Sequence, residues 1–160
     1  MSEKLREELY ASYKNRAHIY HQMYLELEKE LGPEKAEETM QRAIYARGTE
    51  IGKKFAKFAP SDLQGLEEAF LGGIPDDGKM FGPEVLRSDE SALDIKFHAC
   101  PLRDAWQEAG LSDEMIAKLC RIAARIDNGT FESAGFRFWA ETWQPGGDGC
   151  CVLHIRPGES

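Results

Sequence analysis

A chain of 160 residues has the usual length of one domain with one core, and 42% hydrophobic with 30% charged residues describes a globular protein, not a disordered one. A net charge of −8, with no Lys/Arg-rich run to offset phosphate repulsion, argues against a nucleic-acid partner. Met1 to Glu8 is too charged for a signal peptide, and no stretch of about eighteen apolar residues would span a membrane, so the expectation is a soluble, cytoplasmic protein with no membrane partner.

Residues 3–31 form a helical pattern, with Leu5, Leu9, Tyr13, Ala17, Tyr20, Tyr24, Leu27 and Leu31 on one stripe. Gly32-Pro33 ends it, and a second helix is predicted from Pro33 to about Phe58, stopped by Pro60. Two long helices joined by a tight turn make an antiparallel hairpin, whose first stripe also offers a face for a homodimer. A short helix over 62–71, capped by Ser61, and a Gly-rich loop at 72–78 follow. Lys79 to Leu86 reads as an ordinary connection, with a loop that closes over something as the alternative.

The C-terminal part changes period. Leu93, Ile95 and Phe97 alternate with Asp94, Lys96 and His98, which predicts a half-buried strand. Pro101 starts a short helix ended by Gly110, and Ser112 caps another that runs to about Ile126. Phe136, Phe138 and Ala140, and then Cys151, Leu153 and Ile155, mark two further strands around the turn at 144–149. The expected fold is α+β: one domain over 1–160, with a helical hairpin at 1–60, a helix and loop at 61–91, and a sheet-and-helix part at 92–156. That last part holds an antiparallel sheet of at least three strands covered by helices on one face.

The four cysteines, Cys100, Cys120, Cys150 and Cys151, all fall in that last part. In a reducing compartment they stay thiols. Strand parity places His98 and Cys100 opposite Leu93, Ile95 and Phe97, and Cys151 on the core side with Cys150 opposite it. Cys120 and Asp127, seven residues apart, share a helix side.

Three readings of this cluster stand open. Cys100, at a strand end before a helix, suits a nucleophile whose thiolate is stabilised by the helix N-terminus, with His98 or His154 as base and Asp127 orienting it or activating water. Alternatively, Cys and His hold a metal such as zinc, although no CxxC or HExxH pattern exists. Thirdly, the cysteines are small buried hydrophobes. His18 and His21, at i and i+3, also have a metal-compatible spacing, but two histidines read more simply as half-buried helix residues. Trp139 and Trp143 share a strand face with Arg137 and Glu141, a pair that either lines an anion pocket or lies under the helical hairpin.

The series Cys100-Pro101-Leu102, Trp106, Gly110-Leu111, Leu119-Cys120, Asp127 and Gly147-Asp148-Gly149-Cys150-Cys151 resembles the L-2-amino-thiazoline-4-carboxylic acid hydrolase family. The stretch Arg16-Ala17-His18-Ile19-Tyr20, with Leu31-Gly32 and Lys35-Ala36 after it, is similar as well. The resemblance covers about residues 10 to 156. It implies a hydrolase that opens a small cyclic amidine-type ring by C–N or C–S cleavage, yielding a carbamoyl-cysteine from the thiazoline. The matched positions are Cys100, Asp127 and Cys151 as catalytic residues, with Cys120 beside them. A small anionic substrate would draw on Arg47, Arg103 or Arg137 for its carboxylate, with His98 and Trp139 as further substrate contacts. No cofactor is required by the pattern. The non-catalytic alternative is a sensor domain that binds a small molecule or a metal.

Overall fold

The computed structural model describes residues 1–160. Helix α1 spans Glu3–Leu31, capped by the Ser2 hydroxyl, which accepts from the Leu5 N–H. Gly32, at φ +82°, turns the chain directly into α2, Pro33–Gly52, with Pro33 in its first turn. The predicted second helix is therefore shorter than expected: it passes into a 3-10 segment, Lys53–Phe58. Helix α3 spans Leu63–Gly72.

Strand β1, Pro83–Ser88, occupies the segment expected to be a connection. Its residues are mostly exposed because it is the sheet's edge, so it has no apolar alternation to announce it. Strand β2 (Leu93–Phe97), α4 (Pro101–Glu108) and α5 (Asp113–Ala123) come next, and α5 ends short of the predicted Ile126. A separate helix, α6, runs Arg125–Ala134 and ends on Gly135 at φ +111°. Strands β3 (Arg137–Glu141) and β4 (Cys151–Arg156) complete an antiparallel sheet of order β1-β2-β4-β3.

Register sorts the sheet into an apolar and a polar face. Leu93 pairs with Ile155, Ile95 with Leu153 and Phe97 with Cys151, while Phe138 sits beside Ile155 from the other side. These residues join Phe55, Leu63, Leu66, Phe131 and Phe136 in one buried cluster. The opposite face carries Asp94, His154, Arg156 and Trp139 and is open to solvent. His154 bonds Asp94 and Glu141, each at 2.7 Å, and stacks on Trp139. The hairpin thus does not cover Trp139, which is 47% exposed, and Trp143 is buried in a different cluster, so the two do not form a pair.

That second cluster is built by α1, α2, α4 and α5 around Tyr24, Met40, Trp106, Leu119 and Cys120. The junction between the two clusters is made by α2 and α6, which cross at Gly48 and Gly129. A Cβ on Gly48 would collide with the Ile126 carbonyl, and one on Gly129 with the Tyr45 carbonyl. Only glycine allows this approach, and it is what brings Ile126, Asp127 and Thr130 inward. Cys151 touches both clusters, which puts the end of β4 at their seam.

Candidate active site

At that seam lies a cavity of about 230 Å³, lined by 22 residues of which 16 are hydrophobic. Helices α1 and α2 with the 3-10 segment supply Arg16, Tyr20, Ile51, Lys54 and Phe55; α3 and the turn after it supply Phe70, Ile74 and Pro75. The turn is pinned over α1 by Asp76, which accepts from Arg6 Nε and Tyr10 Oη, each at 3.1 Å. From the sheet end and α4 to α6 come Phe97, Cys100, Leu102, Trp106, Cys120, Asp127, Thr130, Cys150 and Cys151. All four thiols and Asp127 therefore line one space.

Cys100 reaches this space because β2 ends at Phe97, so strand parity no longer governs its direction. The chain bends at His98-Ala99, and Cys100 becomes the N-cap of α4 in extended conformation. It thus faces the cavity, not the outer side of the sheet. The thiol makes no capping hydrogen bond of full geometry. Its pKa is nonetheless lowered, first by the Cys150 thiol donating to it, against a cost of burial, and then by the N–H groups of Leu102 and Arg103 and the Arg103 guanidinium.

Cys150 is held for this contact by the preceding turn. Gly149, at φ +74°, lies so near β2 that a Cβ would meet Lys96 and the Phe97 carbonyl. The Cys150 N–H then donates to the Phe97 carbonyl at 2.8 Å, and Arg103 Nη1 donates to the Gly149 carbonyl at 2.7 Å. Cys150 also lies 3.4 Å, sulfur to sulfur, from Cys151. Its own pKa is raised by the neighbouring sulfurs of Cys100 and Cys151 and by burial, so it stays a thiol. Burial, with Cys100 and Cys151 nearby, also raises that of Cys120.

Asp127 is half-buried in the first turn of α6 and has no ion-pair or side-chain hydrogen-bond partner. Desolvation alone lifts its pKa to about 7. A thiol biased toward thiolate and a carboxyl poised to hold or yield a proton near neutrality are the two groups that nucleophilic hydrolysis needs.

Residues 12–155 match the family model described as L-2-amino-thiazoline-4-carboxylic acid hydrolase. The chain belongs to that family. No curated protein matches it. Among solved structures, the chain is similar to a trafficking protein particle complex subunit 3 from Naegleria fowleri, covalently bound to palmitic acid. The TM-score is 0.55 at 16% identity, over 93% of this chain and 96% of that one. At such identity the likeness is one of fold.

For this member of the L-2-amino-thiazoline-4-carboxylic acid hydrolase family, the cavity brings together Cys100, Cys120, Asp127 and Cys151. Arg103 stands behind the thiols, not in the cavity wall, and bonds Gly149 and Asp104. Three residues expected at the substrate lie elsewhere. His98 is turned to Glu84 at 2.6 Å, Arg137 donates to the Pro157 carbonyl, and Trp139 stacks on the solvent face. His154 is on that same outer face and cannot serve Cys100 as a base. Arg47 does not line the cavity either. No group of three or more His, Cys, Asp or Glu side chains is arranged to hold a metal ion. Arg16 is marked in the sequence only as part of a family-like stretch, whereas Cys150 and Cys151 both stand as candidates for the site thiol at the last strand, and both line the cavity.

Proposed function

We propose that this protein is a hydrolase that opens a small cyclic amidine or amide ring through Cys100, similar to the hydrolysis of L-2-amino-thiazoline-4-carboxylate. The observation that carries the reading is that a thiol with a lowered pKa and a carboxyl with a pKa of about 7 share one cavity. On the thiazoline, the Cys100 thiolate attacks C2 and the ring C2–S bond breaks. Asp127, protonated, gives its proton to the departing ring sulfur. The intermediate is an isothiourea joined to Cys100. Asp127, now a carboxylate, takes a proton from water as the water oxygen attacks the same carbon. The bond to Cys100 breaks, the thiolate returns, and the product is the carbamoyl compound, heavier than the substrate by one water.

Cys150 keeps the thiolate available by donating to it, and Arg103 offsets its charge without touching the cavity wall. Cys151 stands at the far side of the Cys150 sulfur as a second site thiol. A ring-opening assay on 2-amino-thiazoline-4-carboxylate, followed by mass, compares wild type with Cys100→Ser. Turnover in the former and its loss in the latter is the expected result; equal turnover in both removes Cys100 from the chemistry.

A second reading is favoured by the apolar lining, because a protein of similar fold is covalently bound to palmitic acid. Here Cys100 would be a non-catalytic anchor. Its thiolate attacks the carbonyl of an acyl thioester, the donor's C–S bond breaks, the donor leaves as a thiolate that takes its proton from water, and the chain stays in the cavity. Intact mass after incubation with palmitoyl-coenzyme A distinguishes the two. A hydroxylamine-sensitive gain of one palmitoyl group supports the anchor, and an unchanged mass dismisses it.

A further inference from the structure

The protein carries more acidic than basic side chains, 28 against 20. A guanidinium in such a chain finds a carboxylate easily, as Arg6, Arg87, Arg121 and Arg156 do. Arg16 does not. It lines the cavity, its Nε is buried with no hydrogen-bond partner, and its guanidinium carbon lies 4.6 and 6.0 Å from the ring centres of Tyr13 and Tyr20. A buried donor left unsatisfied costs free energy, and a charged one costs more. Such a group in the wall of a cavity fits a ligand that brings an anion to it.

Most of the remaining wall, Lys54, Asp127 and Thr130 apart, is apolar and sets the other half of the ligand. Phe55, Phe70, Phe81, Ile51 and Ile74 offer no hydrogen bond, and a cavity of about 230 Å³ exceeds the about 150 Å³ in which an apolar cavity already takes up benzene. A bare thiazoline carboxylate would leave these rings facing empty space. The Arg16 end and the Cys100 end are held in fixed relation, since Trp106 of α4 donates from Nε1 to the Ala17 carbonyl of α1 at 2.8 Å.

We infer that the ligand is an amphipathic carboxylate, its carboxylate held by Arg16 and an apolar substituent packed among Phe55, Phe70 and Phe81. Resting on the hydrolase reading, this names the substrate class as a ring carboxylate bearing an aryl or alkyl group. Arg16 binds and orients; it does no chemistry.

The test uses calorimetry on the full chain with straight-chain carboxylates from butyrate to decanoate and with the matching primary amides. Affinity for the acids rises about fourfold per methylene until the cavity is full. The amides bind about 10- to 100-fold more weakly than their acids, the range for a lost hydrogen bond to a charged group. Arg16→Met abolishes the difference between acid and amide, and Arg16→Lys restores part of it. Acids and amides binding alike to wild type, or an unchanged acid preference in Arg16→Met, would overturn the inference. If Arg16→Met does not fold, the acid-to-amide ratio in wild type and the lysine variant still decide it. Wild type that binds the acids through Arg16 yet opens no ring loses the hydrolase reading alone.

Discussion

Trp106 is fully buried, and its indole N–H donates to the Ala17 carbonyl in the middle of α1 at 2.8 Å. That bond ties the helix that Cys100 begins to the helix that carries Arg16. It also gives a mid-helix carbonyl a second donor in a place water cannot reach. Trp106→Phe removes the bond and part of the ring, and we expect a loss of about 1–3 kcal/mol of stability. Urea unfolding measures it. A loss within about 0.5 kcal/mol would mean that the helices are held by packing alone.

The relation between Cys100 and Cys150 predicts an order of thiol reactivity. Cys100 is alkylated first by iodoacetamide near pH 7, while Cys120 and Cys150, both with raised pKa values, react slowly. Cys150→Ala takes away the main cause of the lowered pKa, so the Cys100 rate profile moves to higher pH. Peptide mass mapping across a pH series reads this. A profile unmoved by Cys150→Ala would assign the thiolate to the α4 N-terminus and Arg103 instead.

Asp127 makes the fold sensitive to pH in a direction opposite to that of a paired carboxylate. Its folded pKa lies above the ordinary 3.8, at about 7, so the folded state binds more protons than the unfolded state between those values. The contribution of Asp127 to stability therefore falls as pH rises from about 4 to about 7 and is level above that. At about 1.4 kcal/mol per pH unit the loss is at most roughly 4 kcal/mol. Asp127→Asn removes this slope and is the more stable protein at pH 8. It also lowers ring opening by about 10²- to 10⁴-fold, the usual share of a general acid–base group. In the wild type, activity declines above pH 7 as the carboxyl loses its proton. Parallel stability curves for wild type and Asp127→Asn from pH 4 to 7 would contradict a raised pKa at Asp127.

The crossing of α2 and α6 has no room for a methyl group at Gly129 or Gly48. The atoms in the way are backbone carbonyls, which do not swing aside as a side chain does. Gly129→Ala should cost about 1–3 kcal/mol or more by overpacking, although alanine is the better helix former. A variant as stable as wild type would show that the helices part easily. Because Asp127 rides on α6, its raised pKa should fall toward the ordinary value in a variant whose helices have separated.

The helices and inner strands were legible because their periodicity is a direct consequence of what they bury. Leu93, Ile95 and Phe97, and Leu153 and Ile155, alternate because one sheet face is covered and the other wet. The edge strand β1 was not legible, since an edge with no buried face leaves no pattern. The break between α5 and α6 was hidden too, because Ile122, Ala123 and Ile126 continue one stripe across it. Cys100, Asp127 and Cys151 were named as candidates from resemblance and spacing. The direction of Cys100 was misread because parity was carried three residues past the strand's end. Strand parity joins His98 to Cys100, and a shared strand face joins Trp139 to Arg137, whereas the sheet turns all three away from the cavity. Arg16 was separated from the cysteines by over eighty residues, and no local pattern announces a missing partner.

Hydrolysis through Cys100 requires a covalent bond from its sulfur to the ring carbon during turnover. Acid quenching within the first turnovers, followed by intact mass and peptide mapping, tests it directly. The expected result is a transient gain equal to one whole substrate, located on the peptide that carries Cys100 and longer-lived in Asp127→Asn. Steady turnover with no adduct on any cysteine, or an adduct confined to Cys151, would contradict it.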